Sequence, residues 1–132
     1  MSDLDLNELE LAPPEVVRQA ARDFAVALSE TPQFRAYEEA TERLNRDPQA
    51  QHALEVLEKK QQVLQAVLML NALSAEERAD LERLRSAFLS QPAVMAFYQA
   101  QADLQAVCQA AADWLSQAIG LNYAAACGAG CC

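Results

Sequence analysis

Three cysteines, Cys127, Cys131 and Cys132, stand in the closing stretch CGAGCC, and the whole sequence holds only four. Thiolates are soft donors that select zinc, Cu(I) or iron–sulfur clusters. Gly128 and Gly130 between them let a backbone wrap closely around one point. Two other readings compete: a redox pair, including a strained Cys131–Cys132 disulfide, and a stretch of idle thiols. Metal or cluster binding is preferred, because a run without a use seldom concentrates three cysteines around glycine spacers. A closed site takes four ligands, and this stretch supplies three. Cys108 is the weaker candidate for the fourth. It precedes Gly120 by twelve residues, about 18 Å along a helix, so residues 121–126 would have to fold back to reach it. More naturally, the missing ligand comes from a second subunit or another protein. Taken alone, Cys108 reads as a small buried apolar side chain.

Catalysis finds little support. His52 is the single histidine, with Gln51 and Ala53 beside it, and no serine or cysteine lies near it in sequence. No glycine-rich phosphate loop is present. The Glu-x-x-His pattern of a di-iron carboxylate bundle is also missing. The chain reads as a non-enzyme.

The elements that must position these residues are helical. With 132 residues the chain is one domain by size. It is 52% apolar with three glycines and five prolines, and alanine, leucine, glutamine and glutamate dominate. These are strong helix formers, and clusters of strand-favouring residues are lacking, so the fold class is all-α. Residues 1–14 form an acidic, flexible arm with leucines at 4, 6, 9 and 11. A helix starts at Glu15, with Val17, Ala20, Ala21, Phe24 and Leu28 at helical spacing. Thr31-Pro32 is an N-cap followed by proline and opens a second helix, on which Phe34, Tyr37, Thr41 and Leu44 share a face. Asp47-Pro48 repeats the device and opens a long helix to about Asn71. Its apolar stripe runs through Ala50, Leu54, Leu57, Leu64, Val67 and Leu68 and extends toward Leu70. Ser74 to Glu77 is a capping box that starts the next helix, with Leu81, Leu84 and Phe88 inward. The last helix opens at Pro92 and ends at Gly120. Measured from Pro32 and Pro92, Phe34 matches Val94, Tyr37 matches Phe97, Ala40 matches Ala100 and Leu44 matches Leu104. Two helices started in the same way account for this more simply than an internal duplication. The domain proper is 15–120, and 121–132 is a flexible Cys/Gly tail.

From Ser86 to Cys132 only Asp103 and Asp113 are charged and fourteen residues are alanine. Small residues allow close helix approach, so a self-association or partner surface is expected along Val94, Phe97, Leu104, Val107, Trp114 and Leu115. The formal net charge is −9, which disfavours direct contact with nucleic acid or an anionic membrane. The basic groups in EKK and ERLRS are interleaved with glutamates and read as solvated ion pairs. The longest apolar run, 63–73, is too short to span a bilayer and carries Gln65 and Asn71. The N-terminal stretch has no basic region of the signal-peptide kind. A cytoplasmic location is expected, where thiols stay reduced.

The segment ARDFAVALSETPQFRAYEEATERLNRDPQAQHALEVLEKKQQVLQ, the capping box, and LRSAFLSQPAVMAFYQAQADLQAVCQAAADWLSQAIG resemble the YlbF/YmcA family of small bacterial helical regulators over residues 15–132. TPQFRAY, RDP, SQPAVMAFY and the cysteine-ending tail carry the resemblance. It implies a bundle with a long helical hairpin and homo- or hetero-oligomeric assembly. Family members acting with a YaaT-like protein are implicated in competence, sporulation and biofilm formation, through RNA maturation by RNase Y, and carry [4Fe–4S] clusters. Cys127, Cys131 and Cys132 match the family's cysteine tail, whereas Cys108 has no clear counterpart. The alanine- and proline-rich sequence departs from the Lys/Glu-rich members. The resemblance therefore implies a regulatory adaptor with a shared cluster. The alternatives are a stand-alone zinc or thiol sensor and a structural helical oligomer with an idle tail.

Overall fold

A computed structural model describes residues 14–127; the acidic arm through residue 13 and residues 128–132, with Cys131 and Cys132, lie outside the described residues. Among the described residues there are seven helices and no strand. They are α1 (Pro14–Ser29), α2 (Pro32–Arg46), α3 (Pro48–Val63), α4 (Gln65–Met69), α5 (Ala75–Leu89), α6 (Pro92–Ile119) and α7 (Tyr123–Cys127).

Each helix start expected from cap chemistry is present. The Thr31 hydroxyl accepts from the Phe34 N–H at 3.2 Å ahead of Pro32. The Asp47 carboxylate accepts from the Ala50 N–H at 2.9 Å ahead of Pro48. Asp47 also ends α2, so α2 and α3 form one rod broken at a single residue. The Gln51 side-chain amide donates to the Leu44 carbonyl at 2.8 Å and splints that break. At α5 the Ser74 hydroxyl accepts from the Glu77 N–H, and the Glu77 carboxylate accepts from the Ser74 N–H, both at 3.1 Å. Two orphan donors of the first turn are satisfied reciprocally. Gly120 closes α6 with φ 73°, the left-handed conformation that glycine adopts without a Cβ penalty.

The long helix expected from Pro48 to Asn71 is interrupted. At Leu64 the backbone leaves helical geometry (φ −95°, ψ 4°), and the short α4 follows. Leu64 is buried and Val67 half-buried, whereas Met69 and Leu70 are exposed. The break lets the chain keep its core contacts while it starts to reverse. Asn71 then adopts φ 51°, which its short polar side chain tolerates better than most. Its N–H donates to the Leu68 carbonyl at 3.1 Å, and the Ala72 N–H donates to the Val67 carbonyl at 3.0 Å. This is a Schellman closure with asparagine in the place usual for glycine.

The chain is a long hairpin whose ascending arm is α2–α3 and whose descending arm is α5–α6. The chief pairings are α2 against α6 and α3 against α5. Near the tip, Leu57, Leu64 and Leu81 form a buried cluster, with Leu73, Leu84 and Phe88 packed on it. The α2–α6 seam is built of small residues: Ala40, Ala93, Val94 and Ala100 are buried there. The rings of Tyr37 and Phe97 meet at 5.6 Å between centroids. These are the matching positions of the two proline-started segments, so the seam has an approximate two-fold relation about that ring pair. Tyr37 opposite Phe97 and Lys60 opposite Asp80 (4.0 Å) set the antiparallel register. That register brings the Asp47 break level with the end of α5 and the start of α6. Ala50, Ala93 and Val94 have no exposure at all at this crossing of helix ends.

Candidate functional site

Two features bear on function, the C-terminal thiols and the helix faces left uncovered. The described part of the segment that leads to the thiols begins with a reversal after α6. Gly120 turns the chain, its N–H donating to the Ser116 carbonyl at 3.0 Å. The Ser116 hydroxyl donates to the Ala112 carbonyl at 2.8 Å and accepts from the Tyr123 N–H at 3.1 Å. The Asn122 side chain caps α7 by accepting from the Ala125 N–H at 3.1 Å. Helix α7 packs on α6, and Ala112 is buried there. The segment read as the beginning of a tail is thus a docked turn and a helix that ends at Cys127.

Cys127 is the last residue of α7, and Cys131 and Cys132 lie outside the described residues. Cys108 is a free, half-buried thiol on α6. It sits on the apolar stripe with Leu104, Val107, Ala111 and Leu115, which fits its reading as a small apolar side chain. Among the described residues no three His, Cys, Asp or Glu side chains converge on a point. The donor chemistry of the tail still suits a thiophilic metal or cluster, because all three residues are soft sulfur ligands.

The expected partner surface on α6 divides in two. Val94 is fully buried in the chain's own core, and Phe97 is half-buried with its ring tilted against Tyr37 across the α2–α6 seam. Leu104 lies half-buried where the α2 pairing runs out, and Val107 and Leu115 are half-buried beyond it. Trp114 is 69% exposed, and Ile119 and Leu121 are also open. One apolar stripe therefore serves as core in its first half and as surface in its second. Sequence periodicity identifies the stripe; only the end of α2 at Pro32 decides where its cover stops.

Helix α1 carries Val17, Ala20, Ala21, Phe24 and Leu28 at the expected helical spacing, and it contains no buried residue. Its amphipathic pattern is complete, and the described residues leave its apolar side largely open. His52 is exposed on α3. At least six of the ten basic residues are held in ion pairs, Arg18, Arg46, Lys59, Lys60, Arg83 and Arg85. The Lys59 ammonium beside Glu55, by hydrogen bond and by charge, holds that carboxyl below its ordinary value. The two shallow concavities are open surface, one along the α6–α7 turn at Asp113, Ser116 and Asn122, the other on the acidic side of α2 at Glu38, Glu39 and Glu42. No helix among the described residues is long and apolar enough to cross a membrane.

These features define a helical hairpin protein with open apolar faces. Residues 17–120 match the family described as control of competence regulator ComK, YlbF/YmcA, and the chain belongs to that family. The family is one of regulators, and a regulatory role follows for this chain. No curated protein matches the chain, and no solved structure does.

Proposed function

We propose that this protein is a non-enzymatic regulatory adaptor that modulates RNA processing through protein partners, with Cys127, Cys131 and Cys132 supplying ligands to a shared [4Fe–4S] cluster. The observation that carries the regulatory part is the family match over nearly the whole hairpin. Action through partners is supported by the net charge of −9 and by the ion pairs that occupy most of the cations. Such a surface offers phosphates little to bind. The partners implied are a YaaT-like protein and RNase Y, and the compartment is cytoplasmic.

The cluster part rests on donor type. A cluster bound by cysteine takes four thiolates, and this tail carries three, so the proposal places the fourth on another chain, with Cys108 the weaker choice. When bound, the cluster would add a redox-responsive group to the adaptor. The chain's own part is to supply the three cysteine ligands from its sequence beyond Ala126; α7, which leads to them, is capped by Asn122 and tied to α6 through Ser116.

Anaerobic affinity purification of the tagged full chain from its native cells tests the adaptor reading. A YaaT-like protein and RNase Y are expected in the eluate, and transcripts cleaved by RNase Y should change when the gene is removed. Recovery of the chain without either partner, together with unchanged transcript cleavage, would overturn it.

A further inference from the structure

We propose that the hairpin bends as two helix pairs about a double joint, with the Gln51 side chain as the chief restraint on the angle. The inference does not depend on the regulatory reading.

Both arms of the hairpin are interrupted at one level. In the ascending arm Asp47 (φ −85°, ψ 109°) leaves helical geometry just ahead of Pro48. In the descending arm Gln91 (φ −64°, ψ 131°) does so just ahead of Pro92. A proline has no N–H, so it cuts the ladder of helix hydrogen bonds at that point. Residues at the ends of elements that absorb a change in φ and ψ are what hinges are made of. A single joint would be held straight by an unbroken helix packed beside it. Here the neighbouring arm is broken at the same height.

Each side of the joints is a body with its own core. The tip body holds Leu57, Leu64 and Leu81 with Leu73, Leu84 and Phe88 packed on them, all from α3, α5 and the chain between. The base body joins α2 to α6 through Ala40, Ala100 and the Tyr37–Phe97 ring pair. The chief pairings stay inside each body. The described residues show no pairing of comparable extent between α2 and α5 or between α3 and α6. What seals the crossing is Ala50, Ala93 and Val94, which follow Asp47 and Gln91 within three residues and have no exposure. They lie close to the line through the two joints, where a swing displaces atoms least. Two alanines and a valine thus serve as a fulcrum, and the contact stays closed as the angle changes.

Side-chain ties hold the angle. The Gln51 amide reaches from the first turn of α3 to the Leu44 carbonyl in the last turn of α2, at 2.8 Å. At the other joint the Gln91 amide donates back to the Ala87 carbonyl of α5 at 3.3 Å. Water competes for both bonds, so each contributes only modestly in net terms. Helix α3 has 16 residues, which at 1.5 Å each puts its far end about 24 Å from the joint, so a swing of roughly 20° carries that end about 8 Å. The tip it moves carries Met69 and Leu70, both open to solvent, whereas the open Trp114 belongs to the base body. A protein that touches one body leaves the angle free. One that touches both selects an angle by shifting the population.

The test is double electron–electron resonance on the full chain, diluted with unlabelled chain. Spin labels are attached through p-acetylphenylalanine, which leaves all four cysteines in place. Labels at the exposed positions of Glu38 and Glu58 span the joint, and labels at Glu38 and Gln109 stay within the base body. The Glu38–Glu58 distribution is expected to be the broader of the two in wild type. It should widen by several ångströms in Gln51→Ala, and in Gln91→Ala at the other joint. The Glu38–Gln109 distribution should stay as it is, with helical circular dichroism intact. A Glu38–Glu58 distribution that neither variant widens would overturn the proposal. So would equal broadening of both label pairs, because the hairpin would then be loosening as a whole and not bending at a joint.

Discussion

Replacing Val94 by alanine and, separately, Val63 by alanine makes the same chemical change at two sites that the hairpin treats oppositely. Val94 has no exposure and is the largest fully buried side chain, at the crossing of the helix ends; Val63 is 76% exposed at the end of α3. Two carbon groups leave the core at Val94, which forfeits about 1.6 kcal/mol of transfer free energy at about 0.8 kcal/mol each. A residual cavity of roughly 40 Å³ adds about 1 kcal/mol at about 24 cal/mol per Å³. The helix preference for alanine over valine returns a few tenths of a kcal/mol at either site. Val94→Ala should therefore lose about 2–2.5 kcal/mol, while Val63→Ala should stay within about 0.5 kcal/mol of wild type. At roughly 3–5 °C per kcal/mol for a chain of this size, the first variant melts about 6–12 °C lower. Thermal denaturation followed by circular dichroism at 222 nm reads both. Equal shifts for the two variants would refute the placement of Val94 at the sealed crossing.

The capping box gives a pH signature. The Ser74 side chain and backbone bond the Glu77 carboxylate and lower its pKa from the ordinary 4.5. Because the folded value is the lower one, the stabilisation is fully present above about 4.5 and disappears as pH falls through the lowered folded value. Melting curves of wild type and Glu77→Gln between pH 7 and 3 should differ at neutral pH and converge at the acid end. At Gly120 an added Cβ would meet nothing within 4 Å, so Gly120→Ala tests backbone strain alone at φ 73°. It should cost about 1 kcal/mol; the matching measurement is a denaturant midpoint, with Ala118→Gly as an in-helix reference.

Helix starts were legible because each is written in one or two side chains that act locally: Thr31, Asp47, Ser74 with Glu77, and the prolines that follow or open the turn. The end at Gly120 was legible for the same reason. The break at Leu64 was not, because nothing there carries a glycine or proline. The reversal is imposed by leucines that must stay in the core while Met69 and Leu70 leave it. The site was half legible. Periodicity located the apolar stripes of α1 and α6, but a stripe does not name its cover. Val94 and Phe97 are covered by α2, Trp114 lies past the end of α2, and Phe24 stays half exposed among the described residues. The three tail cysteines stand out by type and spacing as soft sulfur donors, and Cys131 and Cys132 lie outside the described residues. The docked α7 was not, since it depends on Ser116 reaching a backbone N–H seven residues onward.

The central claim is a regulatory adaptor whose cysteine tail helps to hold a cluster in a complex with its partners. The most direct measurement is the visible spectrum, with iron, acid-labile sulfide and zinc content, of the complex purified anaerobically from native cells. It is made for wild type and for the combined Cys127→Ser, Cys131→Ser and Cys132→Ser variant. The account predicts broad visible absorption with iron and sulfide in equal amounts for wild type. The variant should lose both while keeping its helical circular dichroism. A wild-type complex that retains its partners but contains no iron or sulfide, or a variant that keeps both, would contradict it.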